Sequence, residues 1–273
     1  MPAFASIAPE KLARLLGTAK SPLLIDVRDA DDVALDPRLL PTAIRLPAAT
    51  AAHWAPAYRG LTVAVTCQRG KKLAEGAAAW LRHCGASAEV VEGGFEAWRA
   101  AGLPLVPLAA LPPRNDAGAT VWVTRSRPKI DRIACPWLIR RFVDPGAVFL
   151  FVAPAEVEGV AERFGATPFD VDGVFWSHRE ELCTFDVMVA EFGLASEPLL
   201  RLASIVRGAD TNRPDLAPEA AGLVALSLGL SRLFSDDLEQ LAAGMVLYDA
   251  LFRWARDATD EIHNWPMTSK GPK

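Results

Sequence analysis

Short apolar runs alternate with helical patterns along the first part of the chain. Residues 23–25, 61–66 and 89–91 are apolar or β-branched stretches of the kind that form buried strands. Between and after them, residues 73–82 and 95–101 have the apolar spacing of helices. Strands that alternate with helices predict an α/β fold, with a mostly parallel sheet and helices on both of its faces.

The hydrophobic pattern changes after a proline-rich stretch at residues 103–116. Strand-like runs occur at 121–124 and 148–152, and helical patterns prevail after Thr184. Ser235 is predicted to cap a long helix near the end of the chain. The apolar stripe of that helix is predicted to be Leu238, Leu241, Met245, Tyr248 and Phe252.

These patterns divide the chain into two parts. We predict a domain at 1–108, a linker at 109–119 and a mainly α-helical domain at 120–273. The charges also differ, because 13 basic and 11 acidic residues precede position 120, whereas 16 basic and 22 acidic residues follow from there. A length of 273 residues is typical of two domains.

Composition excludes several classes of protein. Hydrophobic residues make up 51% of the chain and its net charge is −4, which is typical of a globular protein and not of a disordered chain or a basic nucleic-acid-binding protein. No apolar run reaches the roughly 18–20 residues that a membrane helix needs, and the first residues lack a signal-peptide pattern. We therefore expect a cytoplasmic location, with no membrane or nucleic-acid partner. The sequence predicts no oligomeric state.

Cys67 follows a predicted strand and precedes a predicted helix, at the sheet edge where α/β proteins bind ligands. The loop that follows, QRGKK, supplies a glycine, three cations and a helix N-terminus, all of which favour a reactive thiolate. The alternative is a small buried core residue, and Cys84 and Cys135 are interpreted in that way.

Three blocks of the first part resemble a single-domain rhodanese over roughly residues 5–106. They are LIDVR at 24–28, CQRGKK at 67–72 and GGFEAWR at 93–99. The resemblance implies a sulfurtransferase in which Cys67 carries a persulfide, with Asp26 and Arg28 as supporting residues. It implies that the backbone amides of the loop cradle the sulfur, through Gln68, Arg69, Gly70, Lys71 and Lys72.

This part departs from the rhodanese pattern at two places. Residues 39–44 replace a block that usually reads Gly-His-Ile-Pro-Gly-Ala, and Lys72 stands where an arginine is common. The lysine keeps the charge but loses the two-pronged donor geometry of arginine, which puts a preference for thiosulfate in question.

A local cluster of cations opens the second part. Arg125, Arg127, Lys129 and Arg132 are candidates for binding an oxyanion, since arginine grips tetrahedral anions with paired N–H groups. Arg125, Arg127 and Lys129 alternate and would share one face of an extended chain. The alternative is a solvated face with surface ion pairs.

A second cluster offers candidate metal ligands, namely His178, Cys183 and Asp186. A bound transition-metal ion is thus a candidate cofactor, and no other cofactor is predicted. The alternative is a hydrogen-bonded histidine beside a buried thiol. Distant residues that could complete the site are Asp210, Asp249, Glu261 and His263.

Several segments of the second part resemble the C-terminal domain of the chromate resistance protein B family, over about residues 121–266. They include TRSRPKIDRIACPWLIRRFVDP and SHREELCTFDVMVAEFGL. The resemblance implies a role in chromate resistance. Regulatory members of that family carry an N-terminal segment credited with DNA binding, which a rhodanese-like domain replaces here, so we do not carry over transcriptional control.

We predict a sulfurtransferase-type protein of the chromate or oxyanion stress response. Its partners would be a sulfane-sulfur donor, a thiol acceptor, and either chromate or a sulfate-like oxyanion. The alternative is a non-catalytic chromate or metal sensor, or a regulatory protein. Chromate reduction by the thiols is a weaker third interpretation, because no cofactor motif or paired thiol occurs in the sequence.

Overall fold

The computed structural model describes residues 5–261, and its first part is built on a parallel sheet of five strands. The strand order is β1-β6-β5-β2-β4, so the strand that leads to Cys67 is central. The sheet strands are β1 (Ser6–Ile7), β2 (Leu23–Asp26), β4 (Ile44–Arg45), β5 (Thr62–Thr66) and β6 (Ser87–Val91). A separate antiparallel pair joins β3 (Arg38–Leu39) to β7 (Val106–Pro107).

Helices cover both faces of this sheet. They are α1 (Pro9–Leu15), α2 (Ala30–Leu35), α3 (Ala51–Trp54), α4 (Lys72–His83) and α5 (Gly94–Ala100). Because strand side chains alternate between faces, Leu24 and Ala64 share one apolar cluster with α1 and α5, whereas Ile25 and Val65 share another with α4. The predicted α/β fold is confirmed.

The second part is mainly helical, as predicted, and it also holds a parallel sheet of three strands in the order β10-β8-β9. The third strand was not predicted from the sequence. The strands are β8 (Val121–Arg125), β9 (Val148–Val152) and β10 (Thr167–Pro168). The helices are α6 (Asp131–Leu138), α7 (Val157–Phe164), α8 (Thr184–Glu191), α9 (Glu197–Asp210), α10 (Ala220–Leu233) and α11 (Asp237–Asp257).

The prediction that Ser235 caps the long helix is wrong by one residue. Asp236 caps α11, since its side chain accepts hydrogen bonds from the backbone N–H groups of Leu238 and Glu239, both at 2.9 Å. A carboxylate at this position also interacts favourably with the positive end of the helix. Leu238 is 55% exposed and lies outside the apolar stripe, whose other predicted members are buried.

One hydrophobic cluster runs continuously from the first part into the second. It contains Trp98 of α5 together with Phe142 and Phe252 of the second part. At Gly17, a Cβ atom would lie 2.4 Å from the Phe142 ring and 2.6 Å from the Phe252 ring, so the two parts meet there without a gap. Within residues 5–261, none of the helices has the length and apolarity needed to cross a membrane.

Candidate functional site

Cys67 lies at the carboxyl end of the central strand β5, immediately before the loop that leads into α4. Its side chain is only 4% exposed and packs against the apolar cluster beneath α4. Main-chain hydrogen bonds fix its neighbours, because Val27 N–H donates to the carbonyl of Thr66 at 2.8 Å. The loop therefore begins from a rigid point at the edge of the sheet.

The first turn of α5 holds the Cys67 loop in place. The N–H groups of Phe95 and Glu96 donate to the carbonyls of Cys67 and Gln68, both at 3.0 Å. These donors have no partner inside their own helix, so the loop satisfies them. Gly94 makes the approach possible, since a Cβ there would lie 2.2 Å from the Cys67 carbonyl oxygen.

The loop closes over the sulfur atom. The N–H of Lys71 donates to Cys67 Sγ at 3.4 Å, and Gly70 has a φ of 60°, in the left-handed region. The other backbone N–H groups of the predicted cradle, at residues 68, 69, 70 and 72, form no hydrogen bond to Sγ. Gln68 Nε2 donates to Glu96 at 3.2 Å, so its side chain turns away from the sulfur.

The cations of the loop are at the surface. Lys71 and Lys72 are exposed, and the Arg69 side chain is 76% exposed beside Glu96. The Cys67 loop is therefore surrounded by positive charge on its solvent side, where an anion would approach.

Asp26 and Arg28 form a fully buried pair behind the loop. The Arg28 backbone N–H and Nε donate to the two Asp26 carboxylate oxygens at 2.9 Å and 2.8 Å. The guanidinium carbon stands 3.8 Å from the centre of the Phe95 ring. Burial raises the pKa of Asp26, and Arg28 acts in the opposite direction. The pair thus connects the end of β2 to the residue whose N–H holds the loop.

An open groove of ≈ 660 Å³ begins beside the loop. Its walls include Arg28, Arg45, Lys72 and Trp80. The exposed cations Arg45 and Lys72, next to the indole ring, suit a small anionic compound with an apolar portion.

The candidate oxyanion cluster of the second part does not converge on one point. Arg125 and Arg132 both contact the Asp170 carboxylate, at 3.4 Å and 3.3 Å. Arg127 instead donates to the carbonyls of Ser231 and Phe234, between α10 and α11. Lys129 is exposed. The predicted shared face fails because Arg127 adopts a left-handed backbone, with a φ of 57°, which breaks the extended alternation.

Cys183 and Asp186, the two residues predicted to bind a metal together with His178, have other roles in the structure. Asp186 accepts from the Cys183 backbone N–H at 3.1 Å, so it caps α8, and it also pairs with Arg207 at 2.9 Å. Burial raises the pKa of the Cys183 thiol well above its usual value, which keeps that thiol protonated. Neither side chain belongs to the metal-compatible group around His178 that the structure assembles from residues 5–261.

His178 instead meets three aspartates. Its Nε2 atom lies 3.5 Å from Asp131, 3.4 Å from Asp170 and 3.2 Å from Asp210. Asp131 begins α6, Asp170 follows β10 and Asp210 ends α9. We call these four residues the aspartate–histidine cluster.

Electrostatics within the aspartate–histidine cluster are strongly perturbed. Hydrogen bonds to Asp170 and Asp210 raise the pKa of His178 to about 10. Burial, followed by the charges of Asp210 and Asp170, raises the pKa of Asp131 well above its usual range. Groups of titratable residues with perturbed pKa values are common at functional sites.

Of the further residues considered for this site, Asp210 belongs to it and Asp249 does not. Asp249 is bound by Arg141 at 2.8 Å and 2.7 Å, and by the Trp137 indole N–H at 2.8 Å. Glu261 is exposed, and His263 lies outside the described residues.

Asp170 was missed at the sequence level. The available signal was its position two residues after the Thr167–Pro168 strand, which pairs in parallel with β8. Carboxyl ends of parallel strands share one sheet edge, and Arg125 closes the neighbouring strand there. β10 is only two residues long, which is too short for its hydrophobic pattern to be recognised in the sequence.

Two family models match the chain. Residues 8–101 match the rhodanese-like domain, and residues 122–255 match the model described as ChrB, C-terminal domain. Protein ChrB of Cupriavidus metallidurans is 38% identical over 133 residues, which are 48% of this chain and 39% of that protein. The match thus spans about two fifths of the length of this curated relative.

Solved structures of rhodanese-related proteins resemble part of the chain. A rhodanese-related protein from Thermoplasma volcanium is 25% identical, covering 38% of this chain and 98% of its own, with a TM-score of 0.33. A rhodanese-like domain protein from Staphylococcus aureus is also 25% identical, covering 35% and 91%, with a TM-score of 0.32.

Proposed function

We propose that this chain, which joins a rhodanese-like domain at residues 8–101 to a ChrB C-terminal domain at residues 122–255, is a sulfurtransferase-type protein that acts in resistance to chromate or related oxyanions. In this proposal Cys67 accepts sulfane sulfur and passes it to a thiol. The second part binds an oxyanion or a metal ion.

The observation that carries the proposal is the geometry of the Cys67 loop. A nucleophile at the carboxyl end of a central parallel strand, under a loop closed by a helix N-terminus, is placed to attack a ligand at the sheet edge. The Lys71 N–H donates to Cys67 Sγ, and such a donor stabilises negative charge on sulfur.

The reaction proceeds in two displacements. The Cys67 thiolate attacks the outer sulfur of thiosulfate, the S–S bond breaks, and sulfite leaves with the electron pair. An acceptor thiolate then attacks the outer sulfur of the Cys67 persulfide, which yields an acceptor persulfide and restores the Cys67 thiolate. The exposed cations Arg69, Lys71 and Lys72 would attract the anionic donor.

The link to chromate rests on the ChrB match and on the name of the curated relative. Chromate, sulfate and thiosulfate are all tetrahedral dianions, so a sulfur-handling domain beside an oxyanion-responsive one is chemically coherent. The function of the whole relative is part of the proposal, because the match covers 39% of that protein.

The test replaces Cys67 by serine in the full chain. We expect Cys67→Ser to abolish sulfite release from thiosulfate in the presence of a thiol acceptor. Intact-mass measurement should show one added sulfur atom on the wild-type chain and none on the variant.

Cys84→Ser is the matched control, because Cys84 is the only partly exposed cysteine among the four and follows α4 directly. It should retain both the added sulfur and the sulfite release. Sulfur transfer that persists in Cys67→Ser would refute the proposal.

A second candidate function is a non-catalytic protein that binds chromate or a metal. The aspartate–histidine cluster favours it, since that site is independent of Cys67. Two results together would favour this function over the first. The wild-type chain would transfer no sulfur, and the wild type and Cys67→Ser would bind chromate with equal affinity.

A further inference from the structure

The Asp131 carboxylate is buried with one oxygen left unpaired. The residue is 0% exposed, and Asp131 Oδ1 accepts no hydrogen bond of normal geometry among residues 5–261, although the Cys183 thiol lies close to the carboxylate. The other oxygen, Oδ2, accepts the Thr184 backbone N–H at 2.6 Å and faces His178. A buried carboxylate oxygen without a partner is destabilising, and a ligand bound at this position would satisfy it.

The charges of the aspartate–histidine cluster are not balanced by its own side chains. Arg125 and Arg132 reach Asp170 through its Oδ2 atom, whereas its Oδ1 atom faces His178 at 3.4 Å. Asp131 has no arginine or lysine within ion-pair distance in the described part of the chain, and the same is true of Asp210. Within residues 5–261, His178 is therefore the one basic side chain within ion-pair distance of both Asp131 and Asp210.

The donor atoms are close enough to share one cation. Asp131, Asp170 and His178 each offer an atom within 4.8 Å of the other two, and Asp210 Oδ2 lies 3.2 Å from the same imidazole nitrogen. The His178 side chain is 40% exposed, which gives an ion a path from solvent.

The neighbouring groups orient these donors. The Thr184 hydroxyl donates to Asp170 Oδ1 at 2.9 Å, and the Asp131 backbone N–H donates to Asp210 Oδ1 at 3.4 Å. Hydrogen bonds of this kind fix ligand orientation in metal sites. Several carboxylates with one imidazole suit a divalent first-row ion such as Mn²⁺ or Fe²⁺.

We propose that Asp131, Asp170, Asp210 and His178 bind one divalent first-row metal ion. The site lies at the junction of α6, α9 and the segment 168–184. It differs from the His178, Cys183 and Asp186 set that spacing suggested. It is independent of sulfur transfer, because none of its residues belongs to the Cys67 loop.

The experiment uses the untagged full chain, treated with a chelator and then dialysed. Mn²⁺ is the probe, and bound Mn²⁺ is measured by the loss of the free-ion electron paramagnetic resonance signal. We expect one Mn²⁺ per chain. His178→Ala should weaken the affinity at least about tenfold, because loss of a residue that only orients a metal ligand already costs about 10–100-fold. Asp131→Asn should weaken it as well, by removing a ligand charge.

His53→Ala is the matched control, since His53 is exposed and lies in the first part, on α3. It should bind Mn²⁺ as the wild type does. Thermal unfolding provides a second measurement, because saturating Mn²⁺ should raise the melting temperature of the wild type and of His53→Ala but not of His178→Ala. Wild-type protein that binds no Mn²⁺, or a His178→Ala variant that binds it with unchanged affinity, would overturn the proposal.

Discussion

At the scale of single residues, Asp36 shows how a buried carboxylate supports the candidate site. Its carboxylate binds Arg38 through two hydrogen bonds of 2.7 Å and meets Arg99 of α5 at 3.3 Å. The hydrogen bond from Arg38 is the main reason that the pKa of Asp36 is lowered below 3.8. Asp36 therefore links β3 to the helix that holds the Cys67 loop.

The lowered pKa of Asp36 predicts a pH dependence. The ionised carboxylate is favoured in the folded state, so its contribution to stability is full above pH 3.8 and is lost as pH falls through the lower folded-state pKa. Asp36→Asn should lower the free energy of unfolding by about 1 kcal/mol at neutral pH, since its partners are half exposed. Urea titrations from neutral to acidic pH should show that difference shrinking.

Asp172→Asn serves as the control for this titration, because Asp172 is exposed and forms no ion pair within residues 5–261. It should give the wild-type curve. A difference between Asp36→Asn and wild type that stays constant down to the lowest pH would contradict the assignment.

Residue-level expectations succeeded where the signal is local. Cys67 could be placed from the β-rich run before it and the helical pattern after it, because both lie within a few positions of the residue. Asp170 could not, since it approaches His178 only through a two-residue strand and a left-handed backbone turn, with a φ of 51°. Asp131 and Asp210 are separated by 79 positions and meet only in the tertiary fold.

At the scale of elements, the contact between the Cys67 loop and α5 depends on glycine. Gly94 and Gly102 both have left-handed backbones, with φ values of 62° and 67°. A Cβ at Gly94 would lie 2.2 Å from Cys67 O and 2.3 Å from Gly70 N, whereas a Cβ at Gly102 would meet nothing within 4 Å. Alanine variants at the two positions therefore distinguish the cost of backbone strain, which both share, from the cost of a steric clash, which only Gly94 has.

Gly94→Ala should therefore disrupt the loop. Gly102→Ala is expected to cost about 1–2 kcal/mol of stability, from backbone strain alone, and to leave sulfur transfer intact. Gly94→Ala should cost more and lower sulfur transfer by about 100-fold, because the loop must move away from α5. Rates of sulfite release and urea unfolding of both variants check this. Equal behaviour of the two variants would show that the close approach is unimportant.

Element boundaries followed the hydrophobic pattern where the elements are long. The pattern predicted β5 and α4 to within one residue at each end, since four of the five residues of β5 are buried and α4 has a single apolar face. It misplaced the cap of α11, because Ser235 and Asp236 are both good capping residues and only the backbone geometry distinguishes them.

At the scale of the whole molecule, the shared hydrophobic cluster joins the two parts mechanically. Phe252 of α11 lies 5.4 Å from the Phe142 ring and 5.5 Å from the Trp137 ring, measured between ring centres. Both phenylalanine rings lie against Gly17, which follows α1 in the first part. Loss of packing in one part should therefore also destabilise the other part.

Phe252→Ala tests this coupling. Removal of a buried aromatic ring should lower the free energy of unfolding by about 3–5 kcal/mol. Hydrogen exchange should show weaker protection in α1 and α5 as well as in α11. Leu233→Ala is the control, because Leu233 is 73% exposed, and it should leave protection unchanged. Loss of protection confined to the second part would contradict the coupling.

The continuity of this cluster also constrains the evolutionary exchange of modules. Suppose that recombination placed a rhodanese-like domain from another protein in front of the second part. At the positions of Gly17 and Trp98, that domain would have to fit against the Phe142 and Phe252 rings of the second part. Any substituent larger than hydrogen at Gly17 would collide with two rings. Once fused, the two modules are expected to have diverged together, each fitted to the side chains of the other.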